Sequence, residues 1–245
     1  MRCMFSFARR GLRVLMYHKV SATGGDDLTV AVAQLEAQMA WLRAAGWAFV
    51  TVAEVARAAV ERTALPAWPI LVTFDDAYLD TLELALPVLK RHGVRAAVFV
   101  PTAFVAGMSA WDREARPLMN AVQLRAVADE GWELALHSHR HLNFASLATE
   151  QIAADVRENF AALRQLGFQP APALAFPFGR RPRGTAAKTA MQKVLNDSGV
   201  QVAFRIGNRV NALPLRDRFE VNRIGVRGDR SFGTFQRKLR WGRLL

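Results

Sequence analysis

Short apolar runs alternate with stretches of helical periodicity along most of the chain. RVLMYH (13–18) predicts a buried strand, and the segment that follows places Leu35, Met39 and Leu42 on one helical stripe, with Gly46 as its stop. WAFV (47–50) reads as a strand, and Thr51 with Glu54 forms a capping box opening a helix from 52 to about 60. The unit then returns as PILVTF (69–74), a helix over 80–91 stopped at Gly93, and RAAVFV (95–100). Asn120 with Gln123 opens a helix ending near Gly131, and WELALH (132–137) is the strand after it. A helix over Thr149–Gln165, ALAF (173–176), a helix over Lys188–Asp197, QVAF (201–204) and FEVNRI (219–224) complete the series.

Strands that alternate with helices of about 10–15 residues imply a parallel sheet with helical crossovers. Seven or eight such strands in 245 residues predict a single α/β domain closed into a barrel, in preference to a doubly wound open sheet. The core spans about 12–226, and residues 227–245 form a basic C-terminal helix or tail. A hydrophobic content of 51% excludes a disordered chain. The lone Cys3 excludes an intrachain disulfide and a cysteine zinc cluster. No apolar run is long enough to span a bilayer, and the opening apolar patch is broken by Arg9, Arg10 and Arg13. The expectation is an unexported, cytoplasmic protein.

The formal charge of +12 adds a question about partners. Arg180, Arg181, Arg183 and Lys188 form one basic cluster; Arg216, Arg218, Arg230, Arg237, Lys238, Arg240 and Arg243 form another. FQRKLRWGRLL (235–245) predicts a short amphipathic helix with Phe235, Leu239 and Trp241 or Gly242 near one face. Such a helix suits peripheral contact with an anionic membrane at its inner face, or a phosphate-bearing substrate; the plainer alternative is a solvated arginine-rich surface. No nucleic-acid-binding motif accompanies the charge, so nucleic acid is not the expected partner.

The chemistry-bearing residues fall just past strand ends. His18 follows RVLMY, Asp75 and Asp76 follow ILVTF, His137 follows WELAL, and Phe178-Gly179 follow ALAF. In a parallel barrel these positions converge on the C-terminal face, where active sites are built. Two adjacent carboxylates at the end of an apolar strand repel each other and lose hydration, costs that a bound cation relieves; the alternative is an acidic first turn of the next helix. His137-Ser138-His139-Arg140-His141 concentrates three imidazoles. On a helix His137 and His141 share a face, and in an extended segment all three do, and either geometry can hold a transition metal. Two imidazoles and a carboxylate leave coordination positions open, as catalysis requires.

Thr73-Phe74-Asp75-Asp76-Ala77-Tyr78 and His137-Ser138-His139-Arg140-His141 resemble the first two motifs of the polysaccharide deacetylases, the carbohydrate esterases with a NodB-type homology domain. Phe176-Pro177-Phe178-Gly179 resembles their third motif. Leu15-Met16-Tyr17-His18 and Arg223-Ile224 resemble the subgroup acting on exopolysaccharides and other cell-envelope glycans. The resemblance implies a distorted (β/α)₇ barrel and hydrolysis of an acyl group, N-acetyl foremost, from an amino sugar of an envelope polysaccharide or a lipid-linked glycan. It makes Asp75 the general base and Asp76, His137 and His141 the ligands of a divalent metal, with zinc the expected ion. His139 becomes a variable position. The backbone N–H of Phe178, between Pro177 and Gly179, is implied at the oxyanion, and Tyr78 falls among the substrate-binding positions.

The match has gaps. The family's late histidine motif is absent, since no histidine follows His141, and His18 is the candidate for the missing acid or an orienting group. The arginine of the third motif that pairs with the catalytic aspartate is replaced by Ala175 or a neighbour, and Arg223 is the candidate to supply that charge. Ala77 stands where the family has glycine. These gaps leave open a second reading, a catalytically silent relative that binds a glycan or a membrane surface. Trp111, Trp132 and Trp241 are candidate sugar-stacking residues, although Trp132 opens a strand and fits the core. His92, beside Gly93, reads as a helix cap.

Overall fold

The computed structural model describes residues 11–242; Cys3, Arg9, Arg10 and Arg243 lie outside them. Seven parallel strands close into a barrel: β1 (Arg13–Tyr17), β5 (Pro69–Asp75), β6 (Ala97–Val100), β7 (Glu133–Leu136), β8 (Ala173–Ala175), β9 (Val202–Ile206) and β10 (Val221–Gly225). Each pairs with the next, and β1 closes the ring against both β10 and β5. Helices α1 (Val32–Ala44), α3 (Leu86–Arg91), α4 (Ala121–Asp129), α5 (Thr149–Gln165) and α6 (Thr185–Asp197) accompany the strands.

The strands are buried on both faces, which is why they read as nearly continuous apolar runs. Alternation still sorts their residues. Val14, Leu71, Ala97, Phe99, Ala135, Ala173, Ala175, Phe204 and Val221 form one buried cluster, while Leu15, Val72, Phe74, Val98 and Leu134 belong to another with the helices. The alanines among the first set leave room in a narrow barrel for Phe99, Phe204 and the buried Arg223. Helix α2 (Val52–Glu61) closes the N-terminal end, packing Val52, Val55 and Ala56 into that cluster. Its Thr51–Glu54 capping box forms, and the Glu133 carboxylate accepts from the N–H groups of Val52 and Ala53.

WAFV yields only β4 (Ala48–Phe49), which pairs with the first residues of β5 and takes no place in the ring. A parallel pair of short strands, β2 (Lys19–Ser21) and β3 (Thr29–Ala31), has no counterpart in the hydrophobic pattern. The predicted helix over 80–91 begins as a π-helical turn, Thr81–Ala85, in which the Leu86 N–H reaches the Thr81 carbonyl. Pro87, with no N–H to donate, sits where that wide turn gives way to α3.

The basic C-terminal helix is α7 (Phe232–Trp241). Phe235 and Leu239 are buried, Trp41 of α1 meets the rings of Phe232 and Phe235 edge-on at 6.1 and 6.2 Å, and Arg13 Nε donates to the Leu239 carbonyl at 3.0 Å. The apolar face expected at a membrane is therefore turned onto the barrel, leaving Arg237, Arg240 and Trp241 outward. No helix among the described residues is long and apolar enough to cross a membrane.

Candidate active site

The polar residues converge at the C-terminal mouth. Alternation along β5 continues from Leu71 through Thr73 to Asp75, which brings the Asp75 carboxylate into the barrel. The same alternation on β10 brings in Arg223. Their side chains form a two-pronged ion pair, Nη1–Oδ1 2.5 Å and Nη2–Oδ2 2.7 Å, with both residues almost wholly buried. Burial by itself would raise the Asp75 pKa, but the charge of Arg223, then of His137 and His18, holds the carboxyl below its ordinary value. The backbone then turns left-handed at Asp76 (φ 73°) and Ala77 (φ 57°). That conformation accounts for a glycine in the related motif, and an alanine there bears about 1 kcal/mol of strain.

Asp76 meets two imidazoles, His137 Nε2 to Oδ1 at 3.3 Å and His141 Nε2 to Oδ1 at 3.1 Å. One potential ligand atom from each of the three buried residues lies within 4.8 Å of the others. Nδ1 of His137 bonds the Ala175 carbonyl at 2.8 Å, which assigns the proton to Nδ1 and leaves the Nε2 lone pair aimed at Asp76. Asp76 Oδ1 has no well-aligned donor although it is buried. An anionic oxygen without a donor, between two imidazole nitrogens, fits a divalent cation with mixed N/O ligands. Burial would raise the Asp76 pKa as well, and the two imidazoles, when protonated, hold it well below the usual carboxylate range.

Helix α5 holds the histidine loop in place. Asn159 Oδ1 accepts the His137 N–H at 3.0 Å, and Asp155 accepts the N–H groups of His139 (3.0 Å) and Arg140 (3.2 Å). Ser138 Oγ accepts from Leu142 at 2.9 Å. These bonds keep Ser138 (φ 63°) and His141 (φ 53°) in left-handed conformations.

A supporting chain escaped the sequence reading. Trp111 Nε1 lies 3.2 Å from Asp76 Oδ2 and 3.0 Å from the Tyr78 hydroxyl, and its ring packs on His141 with centroids 3.9 Å apart. Tyr78 donates to Asp112 Oδ2 at 2.6 Å, and Asp112 also accepts from Ser109 (2.7 Å) and Lys19 (3.3 Å). Tyr78 is thus not a substrate-facing residue: it is 1% exposed and its hydroxyl is committed to Asp112 and Trp111. The available signal was a Trp-Asp pair inside the long connection after β6.

His18 Nε2 lies 3.8 Å from Asp75 Oδ2, and its buried Nδ1 has no partner. His139 bonds Thr102 through Nδ1 at 2.9 Å, and His92 caps α3 against Glu36. Pro177-Phe178-Gly179 forms a tight 3₁₀ turn with Phe178 at φ 57°. The Phe178 ring is 52% exposed and meets His141 edge-on at 4.7 Å. Gly179 (φ 64°) has no room for a side chain, since a Cβ there would lie 2.7 Å from Ile206. Trp132 is core, stacked on Phe74, and Trp241 is exposed on α7, so the three tryptophans form no common surface.

The seven-stranded parallel barrel thus carries at its C-terminal mouth a candidate metal site, Asp76, His137 and His141, beside a charge-paired aspartate. Residues 63–203, more than half of the chain, match the polysaccharide deacetylase family model, and the chain belongs to that family. YxkH of Bacillus subtilis, named for polysaccharide deacetylation, is 28% identical over 184 residues. That match takes in 74% of this chain and 62% of YxkH, so the chain spans under two thirds of that relative. The poly-beta-1,6-N-acetyl-D-glucosamine N-deacetylase of Staphylococcus epidermidis is 22% identical over 205 residues, 80% of this chain and 67% of the relative. Among solved structures, IcaB from Ammonifex degensii superposes with a TM-score of 0.79 at 23% identity, covering 95% of this chain and 97% of that one. The Streptococcus pyogenes deacetylase PplD gives 0.78 at 18% identity, covering 94% and 98%. These superpositions establish a shared fold.

Proposed function

We propose that the chain is a metal-dependent deacetylase that removes an N-acetyl group from an amino sugar of a bacterial envelope glycan. The observation that carries this reading is the buried Asp76 Oδ1, without a donor and flanked by His137 and His141, directly beside an ionised Asp75. Family membership and the naming of the Staphylococcus epidermidis relative support the substrate class.

A divalent ion held by Asp76, His137 and His141, with zinc our expectation, supplies Lewis acidity toward the acyl carbonyl and toward water. The residues do the rest. Asp75 takes the proton of the attacking water, and Arg223 keeps it ionised for that task at neutral pH. The Phe178 N–H is assigned to the carbonyl oxygen as negative charge develops there. His18, within 3.8 Å of Asp75, is assigned to protonate the departing amine.

The test is divalent metal per chain by elemental analysis, followed by acetate release from an N-acetylglucosamine oligosaccharide. About one ion in wild type, lost in Asp76→Ala and His141→Ala, with acetate release abolished in Asp75→Asn, is the expected result. Metal retention without acetate release would favour a silent glycan-binding relative. No metal after zinc is supplied would end the deacetylase reading.

A further inference from the structure

The basic run after the Phe178 turn acquires partners that are distant in sequence. Arg181 forks onto Glu220, with Nε to Oε1 at 2.8 Å, and Arg205 Nε lies 2.9 Å from Glu220 Oε2. One carboxylate therefore serves two guanidiniums. Arg180, Arg183 and Arg209 are exposed and form no ion pair among the described residues. Burial and the fields of Arg181, Arg209 and Arg183 lower the Arg205 pKa against the opposing pull of Glu220. Positive charge is thus concentrated beyond what the local carboxylates neutralise, and an anion would relieve the repulsion.

The place of this cluster matters as much as its charge. Arg180 and Arg181 follow Gly179 directly, and Gly179 lies against Ile206. Arg205 precedes Ile206, with its Nη1 3.4 Å from the Ile206 carbonyl and its Nε on Glu220, so its head group lies between the end of β9 and the start of β10. Two exposed apolar side chains, Phe178 and Ile206, separate the metal-ligating histidines from the arginines. A sugar ring seated across Phe178, its acyl group at Asp75, would direct its far substituent toward the arginines. We propose that this basic rim binds a phosphate or diphosphate ester on the glycan whose acyl group is removed, making the substrate an anionic, phosphate-bearing glycan. The proposal rests on the deacetylase reading above. Arginine suits the task because its planar fork matches phosphate oxygens.

Calorimetric titration with inorganic diphosphate tests it on wild type, Asp76→Ala and the double variant Arg183→Gln/Arg209→Gln. Both arginines are exposed and form no ion pair among the described residues, so an unchanged melting temperature verifies that the double variant folds. The expected result is salt-sensitive binding, weakened at least about tenfold in the double variant and kept in Asp76→Ala. Equal binding by wild type and the double variant overturns the proposal. So does binding that disappears only with Asp76, which would place diphosphate on the metal. Co-sedimentation with phosphatidylcholine vesicles, with and without phosphatidylglycerol, identifies the source of the ester. Retention on the anionic vesicles alone, lost in the double variant, means a lipid-borne ester; binding of soluble diphosphate alone means a soluble glycan phosphate. Acetate release is scored separately, so failure of the rim and failure of the deacetylase reading give different results.

Discussion

At the N-terminal end of the barrel, α2 fills the opening with Val52, Val55 and Ala56, its capping box is complete, and Glu133 satisfies two further N–H groups. At the C-terminal mouth, Asp76, Ala77, Ser138, His141 and Phe178 are all left-handed, and buried atoms of Asp76 and His18 have no hydrogen-bond partner. The N-terminal end has left-handed residues too, Arg62 and Trp68, and an unpartnered Trp47 Nε1, but at the mouth such features gather around one Asp-His-His cluster. Their concentration around three potential ligands is what points to function, because each buried unpartnered polar atom and each left-handed non-glycine residue costs free energy.

The difference between the two ends can be broken or sharpened by substitution. The largest expected effect is Arg223→Ala, which strands Asp75 in the barrel and should cost about 3–5 kcal/mol in chelator-treated protein by denaturant unfolding. The pH dependence has a definite sign. In wild type the folded-state pKa of Asp75 is depressed, so its contribution is present above the unfolded value of about 3.9 and lost as pH falls through the folded value. Without Arg223, burial dominates and the Asp75 pKa rises. The stability gap between wild type and variant should then be widest near neutrality and narrow in acid, and the acid limb of activity should move to higher pH. A constant gap across pH would remove the charge argument.

Trp111→Phe comes next. It keeps a ring on His141 and removes the donor to Asp76 and Tyr78. Metal affinity should fall about 10–100-fold by competition with a chelating dye, with little change in unfolding midpoint. Glu133→Ala acts at the opposite end. Removing a carboxylate from the α2 N-terminus should cost about 1 kcal/mol of stability and leave the turnover number unchanged. Ala77→Gly should have the smallest effect. Relief of left-handed strain and the added chain entropy of glycine are each about 1 kcal/mol and opposed, so the melting temperature should barely move. Loss of activity in Glu133→Ala would show that the two ends are coupled.

Most of the barrel was legible because its signals are local. Strands buried on both faces stand out as apolar runs, and the Thr51 and Asn120 capping boxes mark helix starts within four residues. WAFV does form a strand, but hydrophobicity reports burial, and burial alone does not distinguish a ring strand from a two-residue edge pairing. The α7 pattern misled in a related way: an amphipathic stripe announces an apolar face without naming its occupant, which here is Trp41 and the outside of the barrel. At the site, Asp75, Asp76, His137 and His141 announced themselves by residue type at strand ends. Trp111 and Asp112 did not, because a tryptophan in a long loop has many uses.

By itself, then, the sequence determined the alternation of strands and helices, the single-domain barrel and the residue types gathered at its mouth. These depend on periodicity and composition within windows of a few residues. Tertiary structure alone decided that Trp111 supports Asp76 and that Arg205 joins the run at Arg180 and Arg181, and it gave the expected Arg223–Asp75 pair its two-pronged geometry across 148 positions. Such pairings follow from barrel closure and strand register, which bring distant residues to one rim through geometry that no local pattern encodes.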